Sequence, residues 1–283
     1  MVKIISDSTC DLSKDLIERY GVEILPLNIL LGEKEYQDGV NITPDEIYAW
    51  SDANKTTPKT SAVGMTAAAT VFRKYLEQGL DIVVFAISED MSTTANVMRL
   101  TAEDLNAADH IYVINSANLS TGIGHLVIEA AILAQGGADA HTIVSHIEKL
   151  KPRVRASFVV DTLVYLYRGG RCGGLTALAG SALKLHPRIN VVDGKMLPGK
   201  KYRGRMEHVV MSYVREMEAD LKGARKDRVF VTHSGCDEAL VEQVKEYLSS
   251  LNHFDEILET RAGGVISSHC GPGTLGVLYI EGS

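Results

Sequence analysis

The chain has 283 residues, 45 % hydrophobic and 23 % charged, with a formal net charge of −7. That is globular composition with length for two domains, and the acidic balance argues against a nucleic-acid surface spread over the molecule. No apolar run approaches the roughly 18–20 residues of a membrane span. The four cysteines, Cys10, Cys172, Cys236 and Cys270, form no C-x-x-C pair, which argues against a zinc site or a disulfide framework. With no apolar signal region at the N-terminus, the expected location is the cytoplasm.

In chain order, residues 2–6 read as an apolar strand running into Ser6-Asp7-Ser8-Thr9, and a helix follows with Ser13 as its cap. Residues 22–31 are strand-like. Thr43-Pro44-Asp45-Glu46 is a strong helix start: Thr43 caps, Pro44 fits the first helical position and Glu46 completes a capping box. Residues 51–64 are polar and turn-rich, with Pro58 biasing Thr57 away from helix. Helix returns at Thr66, on the spacing of Ala68, Val71, Phe72, Tyr75 and Leu76. The apolar run 82–87 is a buried strand that stops at Ser88, and a helical pattern begins near Thr94. A strand at 111–114 ends in Asn115-Ser116. Ser120-Thr121-Gly122-Ile123-Gly124 opens a long helix, and Asp139 caps another that runs to Leu150. This alternation predicts a parallel sheet. Ligands of such sheets sit at the carboxyl ends of the strands, where Ser6-Asp7, Ser88 and Asn115-Ser116 converge if their strands are neighbours.

Beyond residue 154 the pattern changes. Strands are expected at 156–160, 188–192, 195–203, 229–232, 256–260 and 275–280, with Asp193-Gly194 as a hairpin turn. A helix through Leu183 follows the glycine-rich stretch Gly169-Gly170-Arg171-Cys172-Gly173-Gly174. The expected fold class is therefore two-domain α/β. An N-terminal parallel-sheet α/β/α domain spans residues 1–153, and a C-terminal α+β domain with a mostly antiparallel sheet spans 154–283.

Candidate chemistry is spread along the chain. Thr60-Ser61 and Ser92-Thr93-Thr94 are hydroxyl clusters beside helix starts, suited to capping and equally to a carboxylate or phosphate. His269 stands in a Gly/Pro-rich loop between two strands, a surface residue or a ligand contact, whereas His233, at the end of an apolar strand, reads as structural. A Ser/His hydrolase or acyl transferase using Ser92 and His269 is one reading, although the chain has no G-x-S-x-G elbow. Gly122-Ile123-Gly124 lacks the third glycine and the acid of a dinucleotide fingerprint, and no phosphate-loop motif is present. Cys172 lies in a basic, glycine-rich loop without a local histidine. Arg168, Arg171, Lys200, Lys201, Arg203 and Arg205 form either a solvated face or a docking patch for an acidic partner or phosphate.

Several motifs, in this order, resemble the DegV family of bacterial fatty-acid-binding proteins along essentially the whole chain. They are Ser6-Asp7-Ser8-Thr9-Cys10-Asp11-Leu12, Thr60-Ser61, Met91-Ser92-Thr93-Thr94, Asn115-Ser116 with Gly122 and Gly124, Gly169-Gly170-Arg171, Arg203-Gly204-Arg205 and His269-Cys270-Gly271-Pro272-Gly273. The resemblance implies a long-chain fatty acid held between two domains, with no catalysis and no cofactor. It implies an ATP-dependent fatty acid kinase as partner, which makes acyl phosphate for phospholipid synthesis. It assigns the carboxylate to Thr60, Ser61, Ser92 and His269, and the kinase-facing positions to Arg171 and Arg203. Neutral hydroxyls and N–H groups would hold such an anion without burying a full cation. The chain departs from the family pattern in three places. Met91-Ser92-Thr93-Thr94-Ala95 stands for Leu-Ser-Gly-Thr-Tyr, Asn115-Ser116 for Asp-Ser, and Ala62 for a glutamine.

Overall fold

A computed structural model describes residues 1–171 and 185–282. The chain opens with β1 (Val2–Asp7) and α1 (Lys14–Tyr20), whose cap Ser13 accepts from the Leu16 N–H. The strand-like run 22–31 divides at Pro26 into β2 (Glu23–Leu25) and β3 (Asn28–Leu31), which belong to different sheets. Proline has no N–H for a ladder, so the chain changes sheet there. β4 (Lys34–Gln37) and α2 (Pro44–Asn54) follow, and α2 starts with the expected capping box between Thr43 and Glu46. The turn-rich stretch 51–64 holds a short strand, β5 (Lys59–Ser61), that pairs antiparallel with β3. It is polar because it lies at an edge of the small sheet β4-β3-β5.

Next come α3 (Met65–Leu76), β6 (Asp81–Ala86), α4 (Thr94–Asp104), β7 (Ile111–Asn115), α5 (Thr121–Gln135) and α6 (Ala140–Leu150). β1, β2, β6 and β7 form a parallel sheet in the order β2-β1-β6-β7. The second half contains β8 (Val154–Val159), α7 (Val164–Arg168), the hairpin β9 (Leu185–Val192) and β10 (Lys195–Arg203), then α8 (Met206–Glu216) and α9 (Glu218–Lys222). It ends with β11 (Ala224–His233), α10 (Glu238–Ser250), β12 (Glu256–Arg261), α11 (Gly264–Cys270) and β13 (Leu275–Glu281). Its sheet runs β10-β9-β8-β13-β11-β12 and is antiparallel except between β11 and β12. The two-domain α/β expectation holds. The helix expected through Leu183, and Cys172 with it, lie outside the described residues.

Helix α5 joins the halves. Every residue from Thr121 to Ala131 is buried, as for a helix apolar all round. It packs on β1 of the first sheet and on β8 and β13 of the second. Ile4, Val83 and Phe85 thereby share one core with Phe158, Phe230 and Leu278, around Ile123, Leu126 and Val127. Each such buried side chain contributes about 1.5–3 kcal/mol. The two glycines singled out in the sequence serve this packing: a Cβ on Gly122 would sit 2.1 Å from Asn118 Oδ1, and one on Gly124 2.9 Å from Leu12 Cδ2. Polar links add direction. His125 Nε2 donates to Leu278 O at 3.0 Å, and Glu129 accepts from Arg225 at 3.0 Å and from Arg228. Burial pushes the His125 pKa down to about 3, so its imidazole is neutral. Among the described residues no helix is long and apolar enough to cross a membrane.

Candidate functional site

Adjacent β1, β6 and β7 bring their terminal polar clusters together. Those clusters mostly bind one another. Ile87 N–H donates to Asp7 Oδ2 at 2.8 Å, and Glu89 N–H to Asn115 Oδ1 at 3.3 Å. Buried Ser88 reaches across to the other domain, donating to Gly194 O at the β9–β10 turn at 2.7 Å. Lys195 lies 3.7 Å from Asp90 in the same clasp.

Beside this clasp lies a cavity of about 480 Å³, within the size range of small-molecule sites. Both halves of the chain line it. Leu27, Ile87, Met91, Leu119, Leu166, Met196, Val265 and Ile266 make it largely apolar. Its polar lining includes Thr60, Ser61, Ser92 and His269, the four residues expected to bind a carboxylate. Edge strand β5 presents Thr60 and Ser61, the loop before α4 presents Ser92, and α11 presents His269.

The local settings differ from expectation in three ways. Thr60 and Ser61 lie on a strand, not at a helix start. His269 stands in the last turn of a seven-residue helix, not in a loop. The cap residue of α4 is Thr93, whose side chain makes no cap bond; instead Ser92 Oγ accepts from Thr94 N at 3.3 Å and lies 2.8 Å from Thr94 Oγ1.

Thr60 Oγ1 and His269 Nε2 share a hydrogen bond at 2.8 Å. His269 Nδ1 is buried with no hydrogen-bond partner among the described residues, pressed towards Gly169, where a Cβ would lie 2.3 Å from it. Burial, with a smaller contribution from nearby Arg171, pushes the His269 pKa down to about 4. The imidazole is therefore neutral at pH 7. Ser92 and His269 each have a different hydroxyl partner, so among the described residues they form no nucleophile–base pair, and no described carboxylate orients the histidine.

Arg171 lines the same cavity, so the site is not free of cations as expected. Its Nη1 donates to Gly169 O at 2.8 Å, and its Nε to Met91 O across the cleft at 3.4 Å. Periodicity gave no sign of this position, because Arg171 follows α7 in a turn. Arg203, at the end of β10, is exposed and stands outside the lining. Ala62 and Thr93, two positions that depart from the family pattern, both face the cavity. Among the described residues no cluster of His, Cys, Asp and Glu could hold a metal ion.

A family model described as an uncharacterised protein of the DegV family matches residues 1–282. The chain belongs to the DegV family. A DegV domain-containing protein of Clostridium perfringens is 32 % identical over 280 residues, covering 99 % of this chain and 98 % of that protein. A DegV-family structure from Thermus thermophilus, described by its fatty acid binding, is 30 % identical; 99 % of each chain is covered and the TM-score is 0.89. A stearic acid-binding protein from Eubacterium ventriosum is 32 % identical, with 99 % of this chain and 98 % of that one covered and a TM-score of 0.85.

Proposed function

We propose that this DegV-family protein is a cytoplasmic carrier that binds a long-chain fatty acid in the cavity between its domains, which divide near residues 153 and 154. One observation carries the reading: Thr60, Ser61, Ser92 and His269, from three distant segments, meet on one cavity whose remaining lining is mostly apolar. Hydroxyls, a neutral imidazole and the Arg171 guanidinium suit a carboxylate. The apolar wall suits an alkyl chain, at about 0.8 kcal/mol per buried CH₂. The relatives from Thermus thermophilus and Eubacterium ventriosum support the ligand class. Denatured, extracted protein analysed by mass spectrometry is expected to release a fatty acid in near-stoichiometric amount. Protein that is empty and also fails to take up added fatty acid would refute the reading.

The carrier does not transform its ligand; it presents the carboxylate to a separate ATP-dependent fatty acid kinase for acyl phosphate formation. The missing Ser92–His269 pair supports a non-catalytic role over a hydrolase or acyl transferase, and covalent labelling of Ser92 by a fluorophosphonate probe would overturn it. Of the two arginines assigned to kinase docking, exposed Arg203 suits a docking face alone, while Arg171 would serve both the face and the head group. Arg203→Glu is expected to keep its lipid and lose association with the kinase; loss of lipid would contradict this division.

A further inference from the structure

Helix α11 supplies His269, Val265, Ile266 and Cys270 to the cavity, yet its sequence, Gly-Val-Ile-Ser-Ser-His-Cys, is a poor helix former. At seven residues it is also too short to stand alone. Its N-terminus rests on two buried carboxylates from the other end of the chain. Gly263 N–H donates to Asp11 Oδ1 at 2.8 Å, and Gly264 N–H to Asp38 Oδ1 at 2.6 Å. The remaining oxygens are also engaged: Ser120 Oγ donates to Asp11 Oδ2 at 2.5 Å, and Ser8 Oγ to Asp38 Oδ2 at 2.8 Å. Among the described residues neither carboxylate has an ion-pair partner. The fit is close: a Cβ on Gly263 would lie 3.2 Å from an oxygen of each aspartate, and one on Gly264 2.7 Å from Ile29 Cδ1.

The same network reaches the other walls. Ser8 Oγ accepts from Leu27 N at 3.2 Å, and Asp38 N donates to Leu27 O at 2.9 Å. Ser120 directly follows Leu119. Both Leu27 and Leu119 line the cavity. A helix end needs only a serine or asparagine to be capped. Two buried carboxylates without an ion-pair partner among the described residues are a costly alternative, because burial raises both carboxyls above the usual range and repulsion from Asp38 and Asp7 raises Asp11 further. Such local cost is characteristic of functional positions.

We infer that Asp11 and Asp38 are positioning residues, a buried carboxylate pair that fixes the start of α11 and through it the place of His269 in the cavity. As a statement about ligand affinity, this rests on the fatty-acid reading above. The test uses Asp11→Asn and Asp38→Asn in the full chain, with two readouts. The first is the affinity for the fluorescent fatty acid cis-parinaric acid, expected to fall about tenfold or more through loss of charge-assisted bonds. The second is the ¹⁵N imidazole spectrum of the ligand-free protein. The His269 resonances are expected to shift while those of His125, on α5, do not. Folded variants with wild-type affinity and unchanged His269 resonances would overturn the inference. Should both variants fail to fold, Gly263→Ala, which keeps both carboxylates and displaces the helix start, is expected to show the same two changes, and its silence would overturn the inference equally. A wild-type protein that does not bind the probe would refute the fatty-acid reading, while the His269 comparison would still decide the positioning role.

Discussion

Thr60→Val removes one hydroxyl from the cavity and leaves a side chain of similar shape. That hydroxyl bonds His269 Nε2 at 2.8 Å, while Nδ1 has no partner among the described residues. The substitution therefore strips the imidazole of its bond to β5. Nε2 belongs to a ring that lines an open cavity, so water replaces the hydroxyl and the stability loss is that of one neutral hydrogen bond, about 1 kcal/mol. For a chain of this size that lowers the melting temperature by about 2–4 °C. Ligand affinity responds more strongly, because the lost group faces a carboxylate. A hydrogen bond to a charged group contributes about 1.5–3 kcal/mol, so the dissociation constant should rise about 10- to 150-fold. Displacement of cis-parinaric acid by oleic acid measures the second effect, and differential scanning calorimetry the first. An affinity within twofold of wild type would refute the placement of the carboxylate at Thr60 and His269.

Other perturbations probe the surrounding structure. The folded-state pKa of His269, about 4, lies below its ordinary value of 6.5, so between these pH values the unfolded chain binds more protons than the folded one. Stability from this group is fully present above pH 6.5 and is lost as pH falls towards 4, by about 3 kcal/mol in total. Urea denaturation of wild type and His269→Asn across this window should show a difference that changes with pH; a constant difference would contradict the assignment. Buried Asp7, raised to about 6, works in the opposite sense, its carboxylate weakening the fold as pH climbs from the ordinary carboxylate range through 6, so the wild-type curve alone is not diagnostic. Gly194→Ala puts a Cβ 2.5 Å from Ser88 Oγ on a backbone with φ +81°. It should cost about 1–3 kcal/mol and speed amide exchange at the β9–β10 turn; unchanged exchange would argue against the interdomain clasp. Gly122→Ala, with its Cβ 2.1 Å from Asn118 Oδ1, should destabilise by a further ~1–3 kcal/mol in chemical denaturation.

What the sequence disclosed, and what it hid, follows the range of the forces involved. The capping box at Thr43, the Ser13 and Asp139 caps, the Asp193-Gly194 turn and the buried strand ending near Ser88 are written within a few neighbouring residues, and each stands where expected. The elements that local sequence does not disclose depend on distant partners. β5 has no apolar alternation of its own; it is a strand because β3 offers it a ladder. α11 has neither propensity nor length to form alone, and reads as a Gly/Pro-rich loop until Asp11 and Asp38, more than two hundred residues earlier, are brought beneath it. The division at Pro26 was visible as a proline but not as a change of sheet.

The candidate site shows the same limit in its chemistry. Thr60, Ser61, Ser92 and His269 could be named because motif order marked them, and one cavity receives them all. Their electrostatics could not be read from the motifs. The cost of burying a cation favours an all-neutral head-group site. Arg171 escapes that penalty: its guanidinium is only partly buried and is hydrogen-bonded to the carbonyls of Gly169 and Met91, one from each side of the cleft. Both acceptors are neutral carbonyls, and among the described residues no carboxylate pairs with the guanidinium, which leaves its charge available to an anion entering the cavity. Its nearness also helps keep His269 unprotonated. Arg171→Gln should therefore weaken fatty-acid binding and raise the His269 pKa together, both measurable by titration of the imidazole resonances with and without oleic acid. Weaker binding with an unmoved histidine pKa would leave Arg171 as a ligand contact alone and remove it from the electrostatics of the site.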